Sequence, residues 1–134
     1  MESHALTLQF IDHVAITVAD IDATTEFYAR LFDVEVLRDH KPIVRALRLG
    51  GGVQLSIHQF GNGVELVAAR PTPGSADICF RIAAPIEAAV EHLVMHDVGI
   101  VDGPSRRTDN QGRPAQSVYF RDPDGNLVEL MATG

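Results

Sequence analysis

An α+β fold built from two βαβββ modules is predicted by three features of the chain. These are apolar/polar alternation in four segments, a helical pattern after the first segment of each half, and a Pro- and Gly-rich stretch near the middle. From Ile11 to Val18 the residues IDHVAITV alternate, with Val14, Ile16 and Val18 on one face and His13, Ala15 and Thr17 on the other, which predicts a strand. DIDATTEFYARLF follows, with Asp20 suited to cap a helix and Ile21, Phe27, Leu31 and Phe32 spaced for one buried face. Tyr28 and Thr24 lie beside that face, so the aromatic residues fit helix-to-sheet packing. VEVL at Val34 to Leu37 and VRALRL at Val44 to Leu49 predict two short strands around RDHKP. Gly50 to Gly52 then turn the chain into VQLSIH, Val53 to His58.

QFGNGVELVAARPTPGS carries too much Pro and Gly for a sheet interior and separates the halves. After it, ADICFRI reads as a strand and PIEAAVEHLVMHD as a helix, with Pro85 in its first turn and Gly99 at its end. GIVDGP, QSVYFRD and NLVELMA complete three further strands. SRRTDNQGRPAQ, with Arg106, Arg107 and Arg113 among Gly, Pro, Asn and Asp, reads as a loop, either solvated or a flexible cover for an anionic group. His92 and His96 are four apart on the second helix but lack the acid of a zinc HExxH motif, and read as exposed helix residues.

The halves align as repeats: HVAITV lies over DICFRI, and VQL over VEL. With 134 residues, 46% of them hydrophobic, the chain suits one domain, 1–134, with repeats at about 8–60 and 74–132. No apolar run approaches the roughly 20 residues of a membrane helix, and the start MESHALTLQF lacks the basic region of a signal peptide, which predicts a cytoplasmic protein. A net charge of −7 argues against a nucleic-acid partner. One cysteine, Cys79, excludes an internal disulfide and a paired-Cys zinc site, so a metal would rely on His and carboxylates.

Chemistry concentrates on the polar strand faces: His13, Ala15 and Thr17; Gln54, Ser56 and His58; Asp77, Cys79 and Arg81; Leu127, Glu129 and Met131. Glu129 stands out, because its same-face neighbours are apolar and a sheltered carboxylate needs a cation or a proton. The repeat matches Gln54 to Glu129 and His13 to Asp77. Facing modules would therefore offer one imidazole nitrogen and three oxygen donors to a divalent metal, with His58 an alternative to Gln54. Simple hydrogen bonding of His13, and a pairing of Asp77 with Arg81, are the structural alternatives. Cys79 reads better as a small packing residue than as a nucleophile.

HVAITVADIDATTEFYARLF and VYFRDPDGNLVEL resemble the vicinal oxygen chelate superfamily, which includes glyoxalase I, fosfomycin and bleomycin resistance proteins and extradiol dioxygenases. HQ at His58 and RPTPGSADICF further resemble the group called glyoxalase domain-containing protein 5. The resemblance spans about Leu8 to Met131 and implies two modules curving into a cup around one metal, often completed across a homodimer with the site at or near the interface. It places ligands at His13, Gln54, Asp77 and Glu129, with Asp77 where glyoxalase I and the fosfomycin enzymes usually have His, and Gln54 where bacterial glyoxalase I usually has Glu. The function implied is a glyoxalase-type lyase or isomerase, with Ni, Mn, Fe or Zn, acting on a small molecule chelated through adjacent oxygens; a thiol cosubstrate is equally open. Glu129 would move the proton, with Arg81, Cys79, Ser56 and Arg107 as substrate contacts. Two rivals stand beside it: a metal-free protein that sequesters an antibiotic or other small molecule, and a non-haem iron dioxygenase using His13, His58 and Glu129.

Overall fold

The computed structural model of the chain describes residues 5–133. The first module comprises β1 (Val14–Val18), α1 (Ile21–Phe32), β2 (Glu35–His40), β3 (Val44–Leu49) and β4 (Val53–Gln59). The second comprises β5 (Asp77–Ile82), α2 (Ile86–Met95), β6 (Ile100–Thr108), β7 (Pro114–Arg121) and β8 (Leu127–Thr133). Each makes a four-stranded sheet, ordered β1-β4-β3-β2 and β5-β8-β7-β6. In both sheets the first and last strands of the module run parallel and the remaining pairs are antiparallel hairpins. The predicted α+β class and its βαβββ repeat are therefore the observed ones.

Helix α1 starts where Asp20 Oδ1 accepts hydrogen bonds from the Asp22 and Ala23 backbone N–H groups, at 2.9 and 3.2 Å. Two orphan donors of the first turn are thereby satisfied. Asp22 in the first turn and Arg30 in the last complement the helix dipole, and Ile21, Thr24, Tyr28 and Leu31 form the buried face. Expectation and structure differ in three places: the start of β1, the two ends of α2, and the arginine stretch. Strand β1 begins at Val14 and leaves His13 just outside it, because only Ile16 and Val18 have a core to enter. Pro85 takes the cap position before α2. The helix closes at His96, whose N–H reaches the carbonyls of His92 and Leu93, with Asp97 in the left-handed region at φ 56°, ahead of Gly99.

The third difference is larger. Arg106 and Arg107 lie on β6, paired with Gln116 and Ala115 of β7, and not in a loop. The strand expected over Gly99 to Pro104 runs on to Thr108, and Asp109, Asn110, Gly112 and Pro114 are what give the arginine stretch a loop-like composition. The true turn is short and built by buried Asp109. Its Oδ1 accepts from the Gln111 and Arg113 backbone N–H groups at 2.9 and 2.8 Å, and its Oδ2 from Arg113 Nε at 2.8 Å. Those bonds, the Arg113 backbone first, hold the Asp109 carboxyl down at about 2. A depressed native pKa makes the contribution of Asp109 complete above its unfolded value and removes it as pH falls through about 2. Asp109→Asn is accordingly expected to flatten the fall of stability between about pH 4 and pH 2, read by urea unfolding at each pH; an unchanged profile would contradict this account.

Two hydrophobic clusters fill the space between sheets and helices. One is built on Leu47, Leu55, Ile57, Val18 and Tyr28, the other on Leu93, Val118, Phe120, Val128 and Leu130. Phe27, Phe32 and Phe80 pack against both, so α1 serves as a joint between the modules. The turn Asp122–Asn126 is the second joint. Buried Asp122 accepts from Tyr28 Oη at 2.9 Å, Asn126 Nδ2 at 2.8 Å, and the Asp124 and Asn126 backbone N–H groups at 3.0 Å each. Asp124 Oδ1 accepts from the Ala19 N–H, while Asn126 Oδ1 accepts from that of Ala76. Gly74 passes so close that a Cβ there would meet the Asp124 carbonyl oxygen at 2.7 Å.

Candidate functional site

The strand faces turned away from the clusters carry the polar residues singled out from the sequence. On the first sheet β1 and β4 align Ala15 with Ser56 and Thr17 with His58. One step earlier in the same register, His13 stands at the open end of β1 beside Gln54. Neighbouring strands lie about 4.8 Å apart, so two donors in this relation can reach one ion. His13 is half-exposed and its Nδ1 lies 2.8 Å from Asp12 Oδ1. A carboxylate on one ring nitrogen fixes the tautomer and leaves Nε2 for a metal, the usual arrangement around a ligating histidine. Ser56 is half-buried between Ala15 and Ala46. His58 is four residues beyond Gln54, about 13 Å along the strand, so it is not close to the His13 end.

On the second sheet Glu129 lies between Cys79 of β5 and Tyr119 of β7. It is half-buried and forms no ion pair among the described residues. The repeat alignment and the strand register disagree here. Val14 faces Leu55, but Ile78 faces Val128, so the residue across from Glu129 is Cys79, and Asp77 sits across from Leu127. Matching residue types along the sequence does not fix how two parallel strands slide past each other, and the second module is displaced by two residues. Asp77 remains on the same face as Glu129, one period further along.

Tyr119 was not among the residues singled out from the sequence. Its hydroxyl accepts from Arg107 Nε at 2.7 Å, and the guanidinium stands 5.3 Å from the ring centre. Burial raises the Tyr119 pKa, the Arg107 hydrogen bond opposes this, and the Glu129 charge adds to the rise. The sequence did carry a signal: in SVYFR, period-two alternation puts Tyr119 opposite to the core residues Val118 and Phe120. Glu129 on β8 pairs with Tyr119 on β7, and Arg107, which pairs with Ala115, reaches the Tyr119 hydroxyl from β6 with its side chain, so an acid, a phenol and a guanidinium are gathered on one sheet. Arg81 is committed elsewhere, with Nη2 at 3.1 Å from Asp109 Oδ2 and 3.3 Å from Asn110 Oδ1, and does not pair with Asp77.

Burial, then the charge of Glu129, pushes the Cys79 thiol up to about 11. It is therefore protonated at neutral pH. Alkylation by iodoacetamide at about pH 7.5 is expected to run at least roughly tenfold slower than for free cysteine; equal rates would revive Cys79 as a nucleophile. The two helix histidines are structural: His92 Nε2 meets the Leu31 carbonyl at 2.8 Å and His96 Nδ1 the His92 carbonyl at 2.8 Å, tying α2 to the end of α1.

The four candidate ligands do not converge within one chain. Among the described residues no group of three or more His, Cys, Asp and Glu side chains is placed to hold a metal ion. The modules meet through α1 and the Asp122 turn, and no strand of one sheet pairs with a strand of the other. The result is two separate polar pairs, His13 with Gln54 and Glu129 with Asp77 or Cys79.

Repeated βαβββ modules, each with a polar sheet face turned away from its helix, define a paired-module class of small-molecule-binding fold. The chain belongs to the Glyoxalase/Bleomycin resistance protein/Dioxygenase superfamily, whose family model matches residues 10–130. It is 39% identical over 129 residues to Virulence protein STM3117 of Salmonella typhimurium, covering 96% of this chain and 88% of that protein. It is also 40% identical over 129 residues to Glyoxalase domain-containing protein RDO1 of Mycosarcoma maydis, covering 96% of this chain and 71% of that one. An integron cassette protein from V. cholerae superposes with a TM-score of 0.87 at 36% identity, covering 97% of this chain and 99% of that one. No helix among the described residues is long and apolar enough to cross a membrane.

Proposed function

We propose that this chain is a metal-dependent enzyme of the glyoxalase type, acting on a small molecule held through adjacent oxygens, with the site completed across a homodimer. The observation that carries the reading is Glu129, half-buried beside Cys79 and Tyr119 without an ion-pair partner among the described residues. A carboxylate there, with Cys79 and Tyr119 as hydrogen-bonding neighbours and no cation paired to it, is a ready acceptor for a metal ion. The donor set fits a divalent ion of the Ni, Mn, Fe or Zn kind: His13 and Gln54 from one copy, Glu129 and Asp77 from a second. Such an ion would polarise the substrate oxygens and stabilise developing negative charge. Glu129 is the group placed to move a proton, Tyr119 lies against its carboxylate, and Arg107 orients an anionic end of the substrate.

An apolar strip supports the dimer. Leu6, Leu8, Phe10 and Ile11, immediately before His13, are 93%, 89%, 77% and 79% exposed. Four exposed large apolar side chains so close to His13 are expected to be covered by another chain. Two solved proteins of the same fold bracket the chemistry. A fosfomycin resistance protein from Listeria monocytogenes was solved with Mn(II), with a TM-score of 0.65 and 22% identity, and an antibiotic-binding protein from Streptomyces has a TM-score of 0.73 and 20% identity. At such identities they share the fold alone.

Elemental analysis after loading with Ni, Mn, Fe and Zn tests the proposal. About one divalent ion per chain is expected, lost in both His13→Ala and Glu129→Ala. Metal content unchanged in both variants would sink the reading, and no uptake by the wild type would favour the sequestering protein.

A further inference from the structure

The segment between the modules does more than connect them. Phe60 N–H bonds to the Val18 carbonyl at 2.8 Å, Gln59 Nε2 donates to the Ala19 carbonyl, and Asn62 Nδ2 donates to the Ile43 carbonyl at 3.0 Å. So anchored, residues 60–72 form a wall against the polar face of the first sheet. Between wall and sheet is an open-sided cavity of about 470 Å³. Thr17 and His58 floor it, Phe60, Val64 and Val67 make its apolar side, and Arg70 stands at its margin.

Two of these groups lack partners. Neither the His58 imidazole, whose Nδ1 is shielded by the protein, nor the Arg70 guanidinium forms an ion pair or side-chain hydrogen bond among the described residues. Both side chains line the cavity, and none of the described residues occupies their hydrogen-bonding capacity there. A neutral imidazole can offer one N–H and Arg offers a planar fork, a donor set that suits the two oxygens of a carboxylate. The apolar side suits a hydrocarbon or aromatic body.

We infer that this cavity is a binding subsite for a small organic carboxylate with an apolar body, held by His58 and Arg70 under the 60–72 segment. The inference goes beyond the metal reading and does not depend on it, because His58 stands about 13 Å along β4 from Gln54. It also gives His58 a role other than that of a ligand.

Titration of the ¹⁵N-labelled protein, with chelator present, against benzoate and against its neutral analogue benzamide tests the site. Saturable benzoate shifts are expected at Thr17, His58, Phe60, Val64, Val67 and Arg70, with benzamide at least roughly tenfold weaker. Arg70→Gln and His58→Phe are each expected to weaken benzoate about tenfold, while Glu129→Ala leaves it unchanged. Equal affinity for the two probes, shifts centred elsewhere, or no saturation by benzoate up to about 50 mM would overturn the inference. Because the experiment is run without metal, its failure leaves the metal proposal standing, and the reverse also holds.

Discussion

Asp122→Ala is expected to cost about 3–5 kcal/mol of stability, a third or more of what a domain this size commonly has. The carboxylate receives four hydrogen bonds in the interior: from Tyr28 Oη, Asn126 Nδ2 and the backbone of Asp124 and Asn126. Alanine would leave all four donors without their acceptor, and unpaired buried donors cost more than the bonds contribute when made. Tyr28→Phe removes a single donor and is expected to cost about 1–2 kcal/mol. Burial, and then the Asp122 charge, hold the Tyr28 hydroxyl far above its ordinary pKa, so it stays a neutral donor throughout the accessible pH range. Urea unfolding followed by circular dichroism reads both values. A loss below about 1 kcal/mol for Asp122→Ala would mean that α1 packing alone holds the modules together.

Replacing Leu8 and Phe10 together by Asp is expected to convert the proposed dimer to a monomer and abolish the proposed metal uptake, while leaving the fold intact. Both side chains are exposed in the single chain, so charge there disturbs no packing within it. In an interface, the same carboxylates would be buried unpaired. Sedimentation should report twice 14.6 kDa for the wild type and 14.6 kDa for the variant. A wild-type monomer at about 50 µM would defeat the shared-site proposal, as would a variant that remains dimeric or a monomer that keeps its metal.

Element types were legible in the sequence because hydrophobic period tracks the core: Ile16, Val18, Leu55, Ile57, Val128 and Leu130 are all buried as alternation required. What escaped was set by pairing. The arginine stretch reads as a loop by composition, yet β7 supplies a partner strand and Asp109 compresses the turn into a few residues. Likewise the faces carrying His13, Gln54, Asp77 and Glu129 were predictable. That Cys79, not Asp77, faces Glu129 depends on a two-residue slide between parallel strands that no residue pattern encodes. Tyr119 was missed because an aromatic residue in a strand is ordinarily core. That His58 lines a cavity depends on where the intermodule segment lies.

The hydrogen bond from Tyr28 to Asp122 spans 94 positions of the sequence. It recognises a turn on the other module, and its geometry would be the same if that turn belonged to a second molecule. Which molecule provides it is a question of effective concentration, set by the tether at residues 60–76. A tether long enough to close keeps the two modules of one chain together, and a shorter one would make two chains exchange halves through the same contacts. The clamp thus specifies how modules dock but leaves chain ownership to the tether, so assembly can change by insertion or deletion in a loop without redesigning any buried contact.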